Sequence, residues 1–345
     1  MNKRILFISG ARPNIIKLAP LYKLFSKKKN NICKILHSNQ HSNQNLYSRI
    51  YQDLNLPKPD YIIKKFYTND NLNLLSYFIK NISKIVNKFK ADLVILFGDV
   101  DTTLAAGIAA KKNGVDILHI ESGLRSSDTN AQEEINRRLV DHLANINFAT
   151  TEKSISNLKK EGLNSCSFFV GNIIFDNYFF FKKKILNSNI LDKLGLIKKN
   201  YVLVTIHRYQ IINNKTKLKK LIEGLNSISN NIKVVFACHS RTKKNLYFYK
   251  LYKKINRNIK IVKPLAYTEF TNLLLNAKLV LTDSGGVQEE AFFHNVNCCV
   301  LRDELERQEF LQKNLVVKVG LDNIVKNIKT ALLRKKKTFK NKEFR

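Results

Sequence analysis

The feature that most constrains this fold is a series of short, uninterrupted apolar runs, each followed by a turn and a helical pattern. Continuous apolar strands are typical of parallel sheets that are buried on both faces. The runs are RILFISG, CKILHSN, DLVILFGD, DILHIES, INFATT and SFFVGN, then YVLVTIHR, KVVFACHS, IKIVKP, LVLTDS, CCVLRD and LVVKVG. Because strands alternate with helices, the sequence predicts the α/β class with βαβ units and doubly wound sheets.

The apolar runs pause between about Gly171 and Tyr201, where DNYFFFKKKILNSNILDKLGLIKKN is typical of a helix and a connector. A chain of 345 residues is also too long for one ordinary hydrophobic core. The sequence therefore predicts two Rossmann-like, doubly wound domains, residues 1–174 and 175–345, that face a central cleft.

The chain carries 60 Lys and Arg against 27 Asp and Glu, and its formal net charge of +33 is compatible with nucleic-acid binding. The cations, however, are spread along the whole sequence, and no groove-reading motif accompanies them. We therefore expect no nucleic-acid partner, since an anionic small-molecule substrate fits the charge equally well. No apolar run approaches the ~20 residues of a membrane helix, so no membrane segment is expected.

Five cysteines without CxxC spacing argue against a disulfide framework or a zinc site. They are typical of reduced thiols in a cytoplasmic protein, and no metal is expected. The N-terminal MNKRILFISGARP superficially resembles a signal peptide, but its apolar core is too short and predicts a first strand.

Polar side chains follow several predicted strands directly, where ligands bind in doubly wound sheets. We expect these groups to surround one cleft. They are Arg12, Asp99, Asp101, Glu121, His207, Arg208, His239, Asp283 and Ser284.

The segment TDSGGVQEEA favours a phosphate ligand. Gly285 and Gly286 allow close backbone approach at a helix N-terminus, and Ser284 adds a hydroxyl donor. Glu290, about one turn further on, can accept hydrogen bonds from ribose hydroxyls. The alternative is a glycine-rich turn with an N-capping Asp or Ser.

A second set of cations could hold a diphosphate. SGARPNIIKLAPL offers Arg12 and Lys17, with an ordinary surface helix that begins at Pro13 as the alternative. RDELERQE offers Arg307, with a solvent-facing ion-pair network as the alternative. The absence of a full GxGxxG argues against a nicotinamide cofactor.

The titratable groups lie in FGDVDTTLAAG, TIHRYQ and HIESGLRSSDTNAQEEINRRL. Asp99 follows a strand end, and helix N-capping is the alternative role. His207 adjoins Arg208 and can titrate near neutral pH, whereas a lone His is more often structural. Glu121 and Glu133 lie beside several arginines, and the alternative is a solvated, salt-bridged surface.

Taken in order, eight segments resemble the motifs of non-hydrolysing UDP-N-acetylglucosamine 2-epimerases. They are GARPNIIKLAPL, QH at Gln40–His41, GDVDTTLA, HIESGLRS, EEINRRL, GNIIFDN, TIHR and DSGGVQEEA. The similarity runs from about residue 4 to residue 310, and the joint order is highly specific. It implies a two-domain fold of the GT-B type, a UDP-sugar substrate, a cytoplasmic homodimer and no cofactor or metal.

The resemblance implies 2-epimerisation by elimination of UDP across C1–C2 and its re-addition, in surface-polysaccharide synthesis. Such a route needs an acid/base group on each face of the sugar and a cationic cradle for the diphosphate. Asp99, Glu121 and Glu133 match the acid/base positions, and His207 matches one near the anomeric carbon and diphosphate. The matching nucleotide positions are Arg12, Lys17, Ser284, Gly285, Gly286, Glu290 and Arg307, with Phe270 near the uracil.

The resemblance leaves the sugar open, because the short spacing from Glu121 to Glu133 is similar to the branch acting on UDP-2,3-diacetamido-glucuronate. The chain also departs from the family pattern, and no counterpart of the last glycine-rich motif and crossing helix is found. These departures predict weaker domain closure or a lost response to UDP-GlcNAc. The positions that differ are Asn14, Val100, Gln132, Gln210, Leu265 and Gln308.

Three alternatives remain: a hydrolysing epimerase, a glycosyltransferase of the GT-B type, and a UDP-sugar-binding protein without turnover. The retained acid/base set and His207 argue against a plain transferase. The start that contains Arg12, Pro13, Lys17 and Pro20 argues against the hydrolysing branch. Gln210 in place of the expected Glu favours the binding protein.

Overall fold

The structure is a computed structural model that describes residues 2–40, 44–64, 66–68, 70–302 and 316–333. The chain forms two compact units, one that reaches residue 180 and another that begins at residue 181. The division falls within helix α7 (Ile173–Leu186). The boundary at 174/175 stays a prediction.

The first unit contains a parallel sheet of seven strands in the order β3-β2-β1-β4-β5-β6-β7. The strands are β1 (Lys3–Ser9), β2 (Asn31–His37), β3 (Tyr61–Ile62), β4 (Leu93–Phe97), β5 (Asp116–Ser122), β6 (Ile146–Ala149) and β7 (Ser167–Phe169). The helices that connect them are α1 (Arg12–Ser26), α2 (Gln44–Asp53), α3 (Asn71–Phe89), α4 (Asp101–Lys112), α5 (Gln132–Leu143) and α6 (Glu152–Lys160).

The second unit contains a parallel sheet of six strands in the order β10-β9-β8-β11-β12-β13. The strands are β8 (Tyr201–Thr205), β9 (Lys233–Ala237), β10 (Ile259–Val262), β11 (Leu279–Thr282), β12 (Cys298–Val300) and β13 (Val316–Lys318). The helices are α8 (Ile190–Lys193), α9 (Tyr209–Ile212), α10 (Lys215–Ser229), α11 (Ser240–Phe248), α12 (Tyr267–Asn276), α13 (Gly285–Phe293) and α14 (Ile324–Leu333).

All twelve predicted apolar runs form strands, and the predicted class of two Rossmann-like α/β sheets is confirmed. The sequence did not reveal β3, which has two residues and too little length to show a pattern. Most strand residues are apolar because helices cover the sheets. In the first unit, Phe78, Ile82 and Val86 of α3 join Leu96 of β4 in one buried cluster.

In both sheets the strand order reverses beside the first strand of the unit. In the first unit β1 lies between β2 and β4, and in the second β8 lies between β9 and β11. Loops that leave two neighbouring strands in opposite directions open a crevice at their carboxyl ends. The residues that follow β1, β4 and β5, and those that follow β8 and β11, are therefore placed to bind a ligand.

Gly123 closes the turn after β5 under tight packing. Its φ of +78° is in the left-handed region, and a Cβ at this position would overlap the carbonyl oxygen of Ser154. Gly114 has a similar φ of +69°, but a Cβ there would meet nothing within 4 Å. A substitution at Gly114 would therefore introduce backbone strain alone, whereas one at Gly123 would add steric overlap.

We expect Gly123→Ala to lower the free energy of unfolding by at least about 3 kcal/mol, because strain and overlap add. Gly114→Ala, the matched control, should lose only about 1 to 2 kcal/mol, since it has the strain alone. Urea denaturation of both variants measures the difference. Equal losses would contradict the packing assigned to Gly123.

Candidate active site

Three side chains surround Gly98, the residue that follows β4. They are Asn14 and Lys17 of α1 and Glu121 near the end of β5. The ammonium group of Lys17, from α1, forms a mostly buried ion pair with the Glu121 carboxylate. A Cβ on Gly98 would lie 3.6 Å from Glu121 Oε2, 3.7 Å from Asn14 Nδ2 and 3.7 Å from Lys17 Nζ. Because Gly98 has no side chain, these polar groups can occupy the space directly before Asp99.

Glu121 adopts a backbone conformation that residues other than glycine rarely use. Its φ is +71°, and the pairing of β5 with β6 shifts register between Ile120 and Ser122. Such irregularities re-aim a side chain at the end of a strand, and strained backbone clusters at functional sites. Here the irregularity presents the Glu121 side chain to Lys17 rather than to the sheet.

Asp99 is held by α5. Its carboxylate forms an ion pair with Arg137, whose side chain is 5% exposed, and its backbone carbonyl accepts a hydrogen bond from Asn136 Nδ2 at 2.9 Å. The N-cap of α4 is Val100, so Asp99 does not cap that helix. The capping alternative is therefore wrong, and Asp99 remains available for chemistry.

Asp101 lies in a hydrogen-bond network that fixes the start of α4. Its two carboxylate oxygens accept from Gln40 Nε2 and Asn136 Nδ2, each at 2.9 Å. Gln40 Oε1 in turn accepts from the backbone and hydroxyl of Thr102 at 2.9 and 2.7 Å. This assigns a structural role to Gln40, while His41 lies outside the described residues.

The two neighbouring glutamates at the start of α5 differ sharply. Glu133 is exposed, whereas Glu134 is 1% exposed. Glu134 pairs with Arg137 at 3.3 Å and Arg138 at 3.1 Å, and it accepts from the Ser126 amide at 2.8 Å. Glu134 thus anchors the loop before α5, and the surface alternative for this segment holds only for its outer side.

A further buried network was missed by the sequence analysis. His119 contacts Asp141 and the carbonyl of Gly98, and Asp141 also pairs with Arg125. Burial opposes ionisation of Asp141, but His119 and Arg125 outweigh it and hold the pKa of this carboxyl below its usual value. A signal was present, because charged residues recur on the inner side of α5 at Glu134, Arg137 and Asp141.

Behind this edge, His37 at the end of β2 is buried beside β1. Its Nδ1 lies 3.0 Å from the Ser9 hydroxyl, which also lies 3.1 Å from the hydroxyl of Tyr51. Burial lowers the pKa of His37 to about 4, and a contact with Ser9 offsets only part of this effect. His37 is therefore a neutral packing residue at neutral pH.

In the second unit, the fully buried Asp283 orients the loop after β8. Its Oδ2 accepts from the backbone amides of His207 at 2.8 Å and Arg208 at 2.7 Å. Its Oδ1 lies 3.2 Å from His207 Nδ1. The amide contacts fix the backbone at His207 and Arg208, and the imidazole lies beside the carboxylate. The partly exposed His207 is thereby positioned at a strand end, as predicted.

The predicted glycine-rich turn begins α13. Ser284 is the N-cap, and its side chain makes no capping hydrogen bond. Gly285 and Gly286 form the first turn, and a Cβ on Gly286 would meet nothing within 4 Å. The first amides of a helix lack internal partners and carry its positive dipole end, so this N-terminus suits an anion.

The remaining predicted contacts have mixed positions. Glu290 is nearly buried in α13 and accepts from Thr271 Oγ1 at 3.3 Å, and Phe270 is buried in the neighbouring α12. Arg12 begins α1 and is half-buried. Arg307 and Gln308 lie outside the described residues. The roles of these residues in holding a nucleotide stay predictions.

Several departures from the family pattern have a structural account. Asn14 Oδ1 accepts from the amides of Gly10 and Ala11, and its Nδ2 donates to the Phe97 carbonyl at 2.8 Å. Gln132 is the first residue of α5, and Gln210 lies in the short α9. Leu265 is buried. Of these residues, Asn14 has a defined role, because its hydrogen bonds tie α1 to the end of β4.

The described part of the chain has neither a membrane-spanning helix nor a cluster of metal-binding side chains. None of its helices is long and apolar enough to span a membrane. No group of three or more His, Cys, Asp or Glu within these residues could hold a metal ion.

The chain is similar to known proteins over most of its length. The family model for UDP-N-acetylglucosamine 2-epimerase matches residues 24–344. The UDP-N-acetylglucosamine 2-epimerase of Methanocaldococcus jannaschii is 39% identical over 356 residues, which cover 98% of this chain and 94% of that protein. The UDP-2,3-diacetamido-2,3-dideoxy-D-glucuronate 2-epimerase of Pseudomonas aeruginosa is 34% identical, over 95% of this chain and 92% of that protein.

A solved structure is similar over nearly the whole chain. The crystal structure of the Methanocaldococcus jannaschii UDP-GlcNAc 2-epimerase in complex with UDP-GlcNAc and UDP superposes with a TM-score of 0.89 at 37% identity. The superposition covers 96% of this chain and 93% of that one.

The buried His37 predicts a pH dependence of stability. An unfolded His37 takes up a proton below its ordinary pKa of 6.5, whereas the folded one does so only near 4. Its contribution is thus fully present above pH 6.5 and is lost as the pH falls towards 4. We expect His37→Gln to show a smaller fall in the free energy of unfolding across this window, measured by denaturation at several pH values.

The control for this prediction is the range from about pH 7 to about pH 8, which lies above this window. There the free energy of unfolding of wild type and of His37→Gln should not change with pH. A fall equally steep in His37→Gln and wild type would show that other groups carry the dependence. His294, whose pKa burial also lowers to about 4, is present in both proteins and cancels in the difference.

Proposed function

Because this chain belongs to the UDP-N-acetylglucosamine 2-epimerase family, we propose that it epimerises a UDP-N-acetylhexosamine at C2 without hydrolysis. The observation that carries the proposal is the pair of carboxylates at neighbouring strand ends, Asp99 and Glu121, each held by a buried cation. The relatives named for UDP-GlcNAc and for a diacetamido uronate support this substrate class.

The reaction needs this kind of group because no carbonyl on C2 acidifies its proton. A base removes the C2 proton while the C1–oxygen bond breaks, and UDP leaves to give a 2-acetamidoglucal. UDP then adds back to C1, and an acid delivers a proton to the other face of C2. Asp99, Glu121 and Glu133 are the proposed acid/base groups, and positioned groups of this kind contribute about 10²- to 10⁴-fold.

The cations beside these carboxylates have a defined part in this scheme. Lys17 stabilises the negative charge of Glu121, and Arg137 does the same for Asp99. Both ion pairs fix the position of the carboxylate before the sugar binds. Glu133, which is exposed, is proposed as the third group on the strength of the family pattern.

Most of the proposed nucleotide contacts lie in the second unit. The proposed diphosphate contacts are Ser284 and the first amides of α13, with His207 near the anomeric carbon. Two observations support this proposal. The Ser284 side chain makes no capping hydrogen bond, and Asp283 contacts His207. Glu290 and Phe270 are proposed to meet ribose and uracil, and Arg12 and Arg307 the phosphates.

A location and an assembly are also proposed. The five cysteines are all free thiols, which supports a reducing compartment such as the cytoplasm. The homodimer is an expectation from the resemblance, and sedimentation of the purified protein measures it. The biological setting proposed is the supply of sugars for surface polysaccharides.

Wild-type protein incubated in D2O with UDP-GlcNAc, or with its 2,3-diacetamido uronate analogue, should incorporate deuterium at C2 of UDP-linked product. The reason is that the proton returned to C2 comes from solvent-exchanged carboxyl groups. Nuclear magnetic resonance of the product measures it. Free ManNAc with UDP would indicate a hydrolysing enzyme, and tight UDP binding without exchange on either sugar would sink the proposal.

Asp99→Asn and Glu121→Gln should each reduce C2 exchange by at least about 100-fold, since a positioned acid/base group is removed. Their affinity for UDP, measured by calorimetry, should stay within about threefold because neither carboxylate is among the proposed nucleotide contacts. Asp116→Asn is the matched control, as Asp116 is an exposed carboxylate at the other end of the same strand β5. Retained turnover in either variant would refute the role of that residue.

The nucleotide assignment is tested by charge at the helix N-terminus. Gly286→Asp should weaken UDP binding by at least about tenfold, because a carboxylate opposes the diphosphate where a Cβ has open space. Gly320→Asp adds the same charge at another open glycine of this unit and should bind UDP normally. Equal affinities in calorimetry would count against binding at α13.

A further inference from the structure

One buried pair at the first sheet lies outside the proposed acid/base and nucleotide groups. His119 lies within β5 and Asp141 near the end of α5, and both side chains are fully buried. Removing two charges from water offsets much of their attraction, so a buried ion pair is weak evidence for stability. Its contacts point to a different role.

Both ring nitrogens of His119 face hydrogen-bond acceptors. Nδ1 lies 2.7 Å from Asp141 Oδ1, and Nε2 lies 2.9 Å from the carbonyl oxygen of Gly98. A carboxylate and a carbonyl cannot donate, so each ring nitrogen must carry a proton for both bonds to form. His119 thus lies between the Asp141 carboxylate and the Gly98 carbonyl, with one ring nitrogen directed at each.

The bond to Gly98 acts on Asp99. The Gly98 carbonyl belongs to the peptide group that leads directly into Asp99, and the φ of Gly98 is +63°. Because glycine has no Cβ, many backbone orientations are accessible to it. The donor from His119 selects one of them and so fixes the direction in which Asp99 leaves the strand.

The Asp141 carboxylate acts on Glu121. Its Oδ2 accepts from the Gly123 amide at 3.0 Å and lies 2.8 Å from Arg125 NH1. The Gly123 amide belongs to the second peptide group after Glu121. This is the turn in which Glu121 and Gly123 both have positive φ, at +71° and +78°. Asp141 therefore holds the strained turn in its observed form.

We propose that His119 and Asp141 are positioning residues for the epimerisation, an inference that rests on the function proposed above. The pair joins the turn that carries Asp99 to the turn that carries Glu121 through the imidazole ring of His119 and the carboxylate of Asp141. Neither residue touches the substrate. Both act by keeping the two carboxylates at a fixed separation, and a misplacement of about 1 Å can cost about 10²-fold in rate.

Asp141→Asn tests the proposal with an isosteric change. It should reduce kcat for C2 exchange by at least about 100-fold while KM and UDP affinity stay within about threefold, since geometry and not binding is affected. Amide hydrogen exchange of residues 98–101 and 121–125 should accelerate in the folded variant. A role in stability alone would lower the melting temperature and leave both kcat and these amides unchanged.

Asn147→Ala is the matched control. Asn147 is fully buried on the neighbouring β6, and its Nδ2 donates to the backbone carbonyl of Asp141 at 2.9 Å. The substitution removes a buried hydrogen bond from the same helix end without loosening either turn. Its kcat and the amides of both turns should match those of the wild type at a temperature where it is folded.

The outcomes separate this inference from the proposed function. Wild-type kcat in folded Asp141→Asn overturns the positioning role, as does an equal loss of kcat in Asn147→Ala. If the wild type turns over neither sugar, the proposed function fails, and unchanged amide exchange in both turns then overturns the inference independently.

If Asp141→Asn does not fold, His119→Gln replaces it with the same expected losses, since it keeps only one of the two side-chain nitrogens that face the acceptors. The wild type offers a further check by nuclear magnetic resonance. Two slowly exchanging ring N–H protons on His119 are expected, and a single one would overturn the pair as described.

Discussion

The structure depends on one electrostatic constraint: a carboxylate taken out of water must keep a cation or several N–H donors beside it. At the carboxyl edge of the first sheet each such group meets this condition. Glu121 has Lys17, Asp99 has Arg137, and Glu134 has Arg137 and Arg138. Because the partners come from α1 and α5, these helices are fixed to the sheet by charge as well as by packing.

The same constraint explains why the backbone tolerates strain there. Left-handed φ at a residue with a side chain costs about 1 to 2 kcal/mol. The Lys17 ion pair and the Asp141 contact to the Gly123 amide offset that cost for Glu121. In the second unit Asp283 has an equivalent role, since two backbone amides and an imidazole converge on it and shape the loop after β8.

The sequence predicted the strands well because burial on both faces leaves an unbroken apolar run that short-range inspection detects. It also placed Asp99, Glu121 and His207 correctly at strand ends. It could not show that Glu134 is buried and Glu133 exposed, since adjacent residues on a helix differ by about 100° in direction and both are glutamates. It missed His119 and Asp141 because their contact joins residues far apart in the chain.

Asn14 shows how one neutral residue changes the balance of charge at this edge. A glutamate in its place would put a second carboxylate near Lys17 and Glu121. Like charges that share one site disfavour the ionised form of each. An ionised glutamate also could not donate to the Phe97 carbonyl, as Asn14 Nδ2 does at 2.8 Å. With Asn14, the ammonium of Lys17 pairs with Glu121, and the hydrogen bond to Phe97 ties the end of β4 to α1.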